Sequence, residues 1–167
     1  VGKRYDNGSF FLPQLISSAE TAQSVCELAM ELVDRSGGVS SKGRVLLATV
    51  EGDLHDLGKN VVGTVLKSHG FTVVDLGKDV PSSRILEEAE KGAFDFVGLS
   101  ALMTSTMKRM AETTAELVRR LPGIFVIVGG ASVSEDFART IGAHGYAPDA
   151  VSSVRLVESL LASRKTE

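Results

Sequence analysis

The chain has no tryptophan, one cysteine and four prolines in 167 residues. The single cysteine, Cys26, cannot form an internal disulfide, which excludes a cross-linked scaffold and fits a reducing compartment. Aromatic residues make up only 5%, Lys and Arg nowhere cluster, and the net charge is -3. A nucleic-acid binder would show the opposite: a basic surface with interleaved aromatics. No apolar run approaches a membrane span. Val1-Gly2-Lys3-Arg4 carries neither an initiator Met nor the apolar core of a signal peptide. The expectation is a cytoplasmic protein, and a piece cut from a longer one. What is present is ordinary for a globular domain. With 43% hydrophobic and 23% charged residues, the chain can build one sizeable core and a short appendage.

Two parts are expected, 1–37 and 43–167, joined across 38–42 within the Gly/Ser-rich stretch Ser36-Gly37-Gly38-Val39-Ser40-Ser41-Lys42. In the first part Pro13 suits an opening helical turn. Leu15, Ala19, Ala22, Cys26, Ala29 and Val33 follow at steps of four and three. That spacing draws one narrow apolar seam, which either meets partner helices or lies on the following domain. The partner helices would be missing upstream residues or another copy of the chain. After the linker the pattern alternates. Strands are predicted at 44–50, 71–76, 94–99, 124–128 and, weakly, 144–147. Helices are predicted at 57–68, 81–91, 105–120, 134–141 and 151–162. Short apolar strands alternating with helices imply a parallel sheet covered on both faces. Five strands point to a flavodoxin-like (Rossmann-like) α/β order 2-1-3-4-5. Ligands then sit beyond the carboxyl ends of strands 1 and 3, where the winding reverses. Function is sought in the loops 51–58, 100–106 and 129–132.

The first of these loops reads Glu51-Gly52-Asp53-Leu54-His55-Asp56-Leu57-Gly58-Lys59-Asn60. Its glycines do not match a dinucleotide fingerprint, and Asn60 stands where a phosphate-binding loop needs Ser or Thr. A phospho-accepting receiver would want an Asp at the end of strand 3, where this chain has Ser100. The loop does offer a His two residues after an Asp. Imidazole is a good cobalt ligand, and a carboxylate on its other nitrogen fixes the tautomer and raises its basicity. An isolated loop histidine is, however, most often just a solvated side chain.

Its context changes that. Asp53-x-His55-x-x-Gly58 is followed after 41 residues by Ser100-x-Leu102, and after 26 more by Gly129-Gly130. In residue type, order and spacing this resembles the cobalamin-binding motif of B12-dependent methyltransferases and corrinoid proteins. All three pieces fall on loops at one predicted sheet edge. The resemblance implies that His55 ligates the cobalt of cobalamin from below while the cofactor's nucleotide tail enters a slot beside the sheet. It assigns the catalytic relay to His55, Asp53 and Thr106, the last matching a family position that is usually Ser. It implies cofactor contacts at Gly52, Leu54, Asp56, Gly58, Ser100, Leu102, Thr104, Gly129 and Gly130. The glycine pair would let the backbone approach the flat base. Tyr146-Ala147-Pro148-Asp149-Ala150 resembles the family's closing loop, with Tyr146 and Ala150 at contact positions. Phe11-Leu12-Pro13-Gln14-Leu15 resembles the start of the last helix of the family's four-helix cap. There Tyr5 and Leu12 would press on the upper, methyl-bearing face, Tyr5 adding a hydroxyl that needs a partner.

The function so implied is a methyl carrier using methylcobalamin, whose cofactor supplies the hard chemistry while the protein sets ligation, access and docking. One cysteine cannot build the thiolate-rich zinc site that would activate homocysteine. Methyl-donor and methyl-acceptor methyltransferase domains or proteins, and a reductive reactivation partner, are therefore expected outside the chain. Leu99-Ser100-Ala101-Leu102-Met103-Thr104 and Asp75-Leu76-Gly77 place a methionine synthase-like B12 module first. A stand-alone corrinoid protein of a methanol, methylamine or methoxyaromatic system comes second, and a B12-dependent sensor third. A radical mutase shares the histidine loop but lacks such a cap, and ranks last.

Overall fold

The structure, a computed structural model, describes residues 41–164 and, before them, only Ser17 and Thr21. The apolar seam, Tyr5, Leu12 and most of the linker lie outside the described residues. The chain divides into two units, Val1–Val39 and Ser40–Glu167, and the fold below is that of the second.

Strands and helices alternate as the apolar pattern requires. They run β1 (Arg44–Thr49), α1 (Leu57–Ser68), β2 (Thr72–Asp75), α2 (Ser82–Lys91), β3 (Phe96–Ser100), a single 3-10 turn (Thr104–Thr106), α3 (Met107–Arg120), β4 (Phe125–Gly129), α4 (Glu135–Thr140), β5 (Gly145–Tyr146) and α5 (Ala150–Arg164). All strand pairs are parallel and the sheet order is β2-β1-β3-β4-β5. The expected fold class is thus the observed one. Strand ends differ by a residue or two. Val50 leaves β1 and pairs with Val80 in an isolated bridge.

Successive strand residues point to opposite faces, and the core divides accordingly. On one face Leu46, Ala48, Val97, Leu99, Val126 and Val128 pack with Ile85, Leu86, Met110 and Leu117 of α2 and α3. On the other, Val45, Leu47, Phe96 and Ile127 meet Leu66 of α1 with Val154 and Val157 of α5. Each fully buried aliphatic side chain contributes about 1.5–3 kcal/mol, so the strands are fixed from both sides. Gly98 is needed on the second face: a Cβ there would stand 2.6 Å from Leu47 Cδ2.

The register sets the working edge. Thr49 pairs with Ser100, and Ser100 with Gly129. Three consecutive strands therefore end at one level, and the loops carrying the three motif pieces leave the sheet side by side. β1 connects outward to β2 and β3 onward to β4, so the winding reverses at this point. Such a reversal leaves a crevice that neither crossover covers. Among the described residues no helix is long and apolar enough to cross a membrane.

Candidate functional site

Asp53 is the centre of the edge. Its side chain is 0% exposed, yet it is fully supplied with donors. Oδ1 accepts the His55 backbone N–H at 3.0 Å and lies 2.9 Å from His55 Nδ1. Oδ2 accepts the backbone N–H of Leu102 at 2.7 Å, that of Met103 at 3.1 Å and the Thr106 hydroxyl at 3.0 Å. Burial pushes its carboxyl up, but these donors, led by the His55 and Leu102 amides, outweigh burial and hold it well below the usual carboxylate range. An ionised carboxylate only accepts hydrogen bonds. His55 Nδ1 must therefore carry the proton facing Asp53, and in the neutral ring the lone pair is left on Nε2. The His55 side chain is 53% exposed. One end of the ring is pinned to a buried anion, and the other is open.

Of the relay read from the sequence, Asp53, His55 and Thr106 are brought together directly. Thr106 is buried at the end of the 3-10 turn, and its hydroxyl also reaches the Met103 carbonyl at 2.8 Å. A continuous helix was expected from Ser105. The chain instead makes one tighter turn, which the Thr106–Met103 bond closes before α3 begins. Leu102 contributes its amide to Asp53 while its side chain faces out. Thr104 is exposed on the same turn, and Ser100 is half-buried at the end of β3. Gly52 and Leu54 lie in the exposed loop, Asp56 precedes α1, and Gly58 is exposed in its first turn. Tyr146 pairs with Val128 in the sheet, and Ala150 opens α5.

The glycine pair has neighbours the sequence does not reveal. A Cβ on Gly130 would stand 2.0 Å from the Ala101 carbonyl oxygen, and one on Gly129 would stand 2.8 Å from that of Ala147. Gly130 also has φ +117, where side chains are strongly disfavoured. The atoms that crowd these positions belong to the chain itself. At Gly58, by contrast, a Cβ would meet nothing within 4 Å.

Other site features escaped the sequence reading. Lys59 Nζ is only 2% exposed on its side chain. It lies 2.5 Å from both Asp75 carboxylate oxygens and 2.8 Å from Asn60 Oδ1, tying the start of α1 to the end of β2. Asp79 bonds to the histidine loop. Asp149 caps α5 by accepting the Ser152 amide at 2.7 Å and its hydroxyl at 3.0 Å. Only Asp149 had a local signal, an Asp before a helix followed three residues on by Ser.

The described residues that expose large hydrophobic side chains are Leu54, Leu57, Val61, Leu102 and Val151. Each lies on a loop or early helical turn leaving the carboxyl edge. Exposed apolar side chains on the same edge as an open imidazole nitrogen suit a large ligand with apolar surface.

Comparison with known proteins decides which ligand class this is. Residues 43–155 match the family model described as the B12 binding domain. The chain belongs to the B12-binding family. Dimethylamine corrinoid protein 3 of Methanosarcina mazei is 36% identical over 97% of this chain and 98% of its own length. A solved cobalamin-binding protein of Desulfitobacterium hafniense is 32% identical over 95% of this chain and 75% of that one, with a TM-score of 0.73. The methanol:cobalamin methyltransferase complex of Methanosarcina barkeri contains a chain 32% identical over 96% of this one and 61% of its own, with a TM-score of 0.72. The B12-binding domain is thus a cobalamin carrier. These relatives favour a corrinoid protein of a methyltransferase system over the methionine synthase module ranked first from sequence, and methionine biosynthesis finds no support among them.

The residues of this chain fit a corrinoid. Among the described residues no group of three or more His, Cys, Asp or Glu is arranged to hold a metal ion. A single open imidazole nitrogen suits a metal that brings its remaining ligands with it. The exposed apolar side chains and the bare backbone at Gly58 suit a broad, flat partner.

Proposed function

We propose that this chain is the corrinoid carrier of a methyltransferase system of the methylamine or methanol type, with His55 Nε2 as the protein ligand to cobalt. The observation that carries the reading is the Asp53–His55 contact at 2.9 Å. A buried carboxylate aims the ring and makes Nε2 its outward lone pair. When bound, the corrinoid supplies a cobalt centre that accepts and donates a methyl group. The chain's own residues do the rest. Asp53 holds the Nδ1 proton, and Thr106 and the amides of Leu102 and Met103 hold Asp53. Ser100, Thr104, Gly58, Tyr146 and Ala150 would contact the cofactor, and Leu54 and Leu102 would cover its apolar parts. Residues 1–37 are read as the last part of a helical cap, 38–42 as a linker and 43–167 as the carrier domain. The partners are a methyltransferase that loads the methyl group, another that removes it, and a reductive reactivation protein.

The named relatives support the methylamine or methanol setting, since one is a dimethylamine corrinoid protein and another belongs to a methanol:cobalamin methyltransferase complex. The test is to load the full chain with methylcobalamin and compare its visible spectrum with that of His55→Ala. Wild type should show the tail base displaced and imidazole bound, and the variant should lose that signature. An identical spectrum removes His55 as the ligand.

A further inference from the structure

We infer that Asp79, which belongs to none of the motif pieces, is a positioning residue that braces the histidine loop from the β2–α2 connection. Its backbone has φ +53, the left-handed region that a non-glycine residue enters only at some cost, Asp and Asn most readily. Such conformations persist where surrounding bonds over-determine them, and they gather at functional sites. The bonds here are specific. Asp79 Oδ1 accepts the Gly52 N–H at 2.7 Å, and the Asp79 N–H donates to the Asp53 carbonyl at 3.0 Å. Gly52 itself sits at φ +85, so both ends of this contact hold left-handed backbone. A turn that merely closed on itself would bond within its own residues. These bonds reach back to the entry of the histidine loop.

The same connection holds the loop's other end. Asp75 takes the buried Lys59 ammonium just beyond Gly58, and also accepts the Gly77 N–H at 2.8 Å. Between them the Thr49 N–H donates to the Gly77 carbonyl at 3.0 Å and the Val80 N–H to the Thr49 carbonyl at 3.1 Å. Residues 75–80 therefore grip the loop at Gly52–Asp53 and again at Lys59, while Leu54 and His55 between them stay exposed. Asp79 is not itself among the residues assigned to the cofactor, but it bonds to two that are, Gly52 and Asp53. It acts through Asp53, whose backbone it fixes and whose carboxylate aims the imidazole.

This inference rests on His55 being the ligand, so its test reads the loop both without and with cofactor. In the full chain, Asp79→Gly keeps the backbone conformation but removes the acceptor, and Asp79→Asn keeps both. In the cofactor-free protein, amide hydrogen exchange at Gly52 should quicken about tenfold in Asp79→Gly, the loss of one hydrogen bond. With methylcobalamin the same variant should bind about tenfold more weakly and show a smaller imidazole-bound fraction. Asp79→Asn should restore both readings. Wild-type exchange and spectrum in Asp79→Gly would overturn the inference, as would an Asp79→Asn variant equally impaired. If His55→Ala keeps the wild-type spectrum, the ligand assignment fails on its own, and the cofactor-free exchange still decides the brace.

Discussion

Gly130→Ala should unfold this domain more readily even when no cofactor is present. The added Cβ would stand 2.0 Å from the Ala101 oxygen, 2.8 Å from its carbonyl carbon and 3.0 Å from its nitrogen. All three are backbone atoms, so no side chain can swing aside. Holding a non-glycine residue near φ +117 costs about 1–3 kcal/mol. Relieving the clash means parting the loops after β3 and β4. That strains the Ala101 N–H to Gly129 carbonyl bond at 3.2 Å and the Ser132 hydroxyl to Ala101 carbonyl bond at 3.3 Å, each worth about 0.5–1.5 kcal/mol. The combined loss of about 2–6 kcal/mol is a large share of the roughly 5–15 kcal/mol that holds a typical domain. Urea denaturation of cofactor-free protein, followed by circular dichroism at constant m-value, measures it. Gly58→Ala is the contrasting variant. Nothing lies within 4 Å of its Cβ, and alanine is the better helix former by up to about 1 kcal/mol. It should leave cofactor-free stability equal or higher while weakening methylcobalamin binding, because only an incoming ligand would meet that methyl group. A Gly130→Ala protein within about 0.5 kcal/mol of wild type, with cobalamin affinity collapsed, would refute the reasoning. It would return the glycine pair to the role the sequence suggested, a path for the flat base.

Two further outcomes test the site's electrostatics. Asp75→Asn should cost about 3–5 kcal/mol because it strands the Lys59 ammonium in the interior, whereas Lys59→Met leaves Asp75 a third exposed and free to rehydrate, and should cost less; equal losses by chemical denaturation would contradict this asymmetry. Asp53 is held below its ordinary pKa, so below about pH 4 the unfolded chain takes up the proton more readily than the folded one. Its contribution is complete above that pH and fades as pH falls, so the stability gap between wild type and Asp53→Asn should shrink on acidification; a gap unchanged between about pH 7 and pH 3 would exclude it.

The sheet was legible because its signals are local. RVLLATV, FTVVDL, FDFVGL and IFVIV are short, apolar and bounded by Gly, Pro or charge, and their alternation with helices leaves few parallel topologies. The Asp53–His55 contact was legible for the same reason, a two-residue spacing that the loop closes on itself. Thr106 came through the spacing of the resemblance alone, since nothing local shows that a hydroxyl fifty-three residues away meets Asp53 Oδ2. Asp79 and the Lys59–Asp75 pair were not legible. Their meaning depends on β2 lying beside β1 in register, with Leu47 against Asp75. In sequence Lys59 and Asp79 look like solvated charges. The glycine pair does fall at the expected sheet edge, but what its missing side chains would strike is a property of two loops folded together.

The edge divides its labour between parts that are fixed and one that is not. Asp53, Thr106, Gly129 and Gly130 are locked by backbone bonds or by contacts too close for any side chain, so they cannot adjust to a ligand. His55 is anchored at Nδ1 and open at Nε2, and Leu54, Leu57, Val61 and Leu102 stand exposed on the loops and early helical turns of the same edge. Exposed apolar area adds nothing to folding, but burying it under a ligand is worth about 25 cal/mol per Å². Affinity on such a surface comes chiefly from these apolar side chains, while the imidazole sets orientation. That separation suits a carrier, because one ligand bond can be made and released without loss of the cofactor. It follows that Leu54→Ala combined with Leu102→Ala should weaken methylcobalamin binding more than His55→Ala does, while His55→Ala alone should change the spectrum of what remains bound. The reverse order of affinities, measured by equilibrium titration, would place the binding energy in the cobalt–nitrogen bond and not in the apolar side chains.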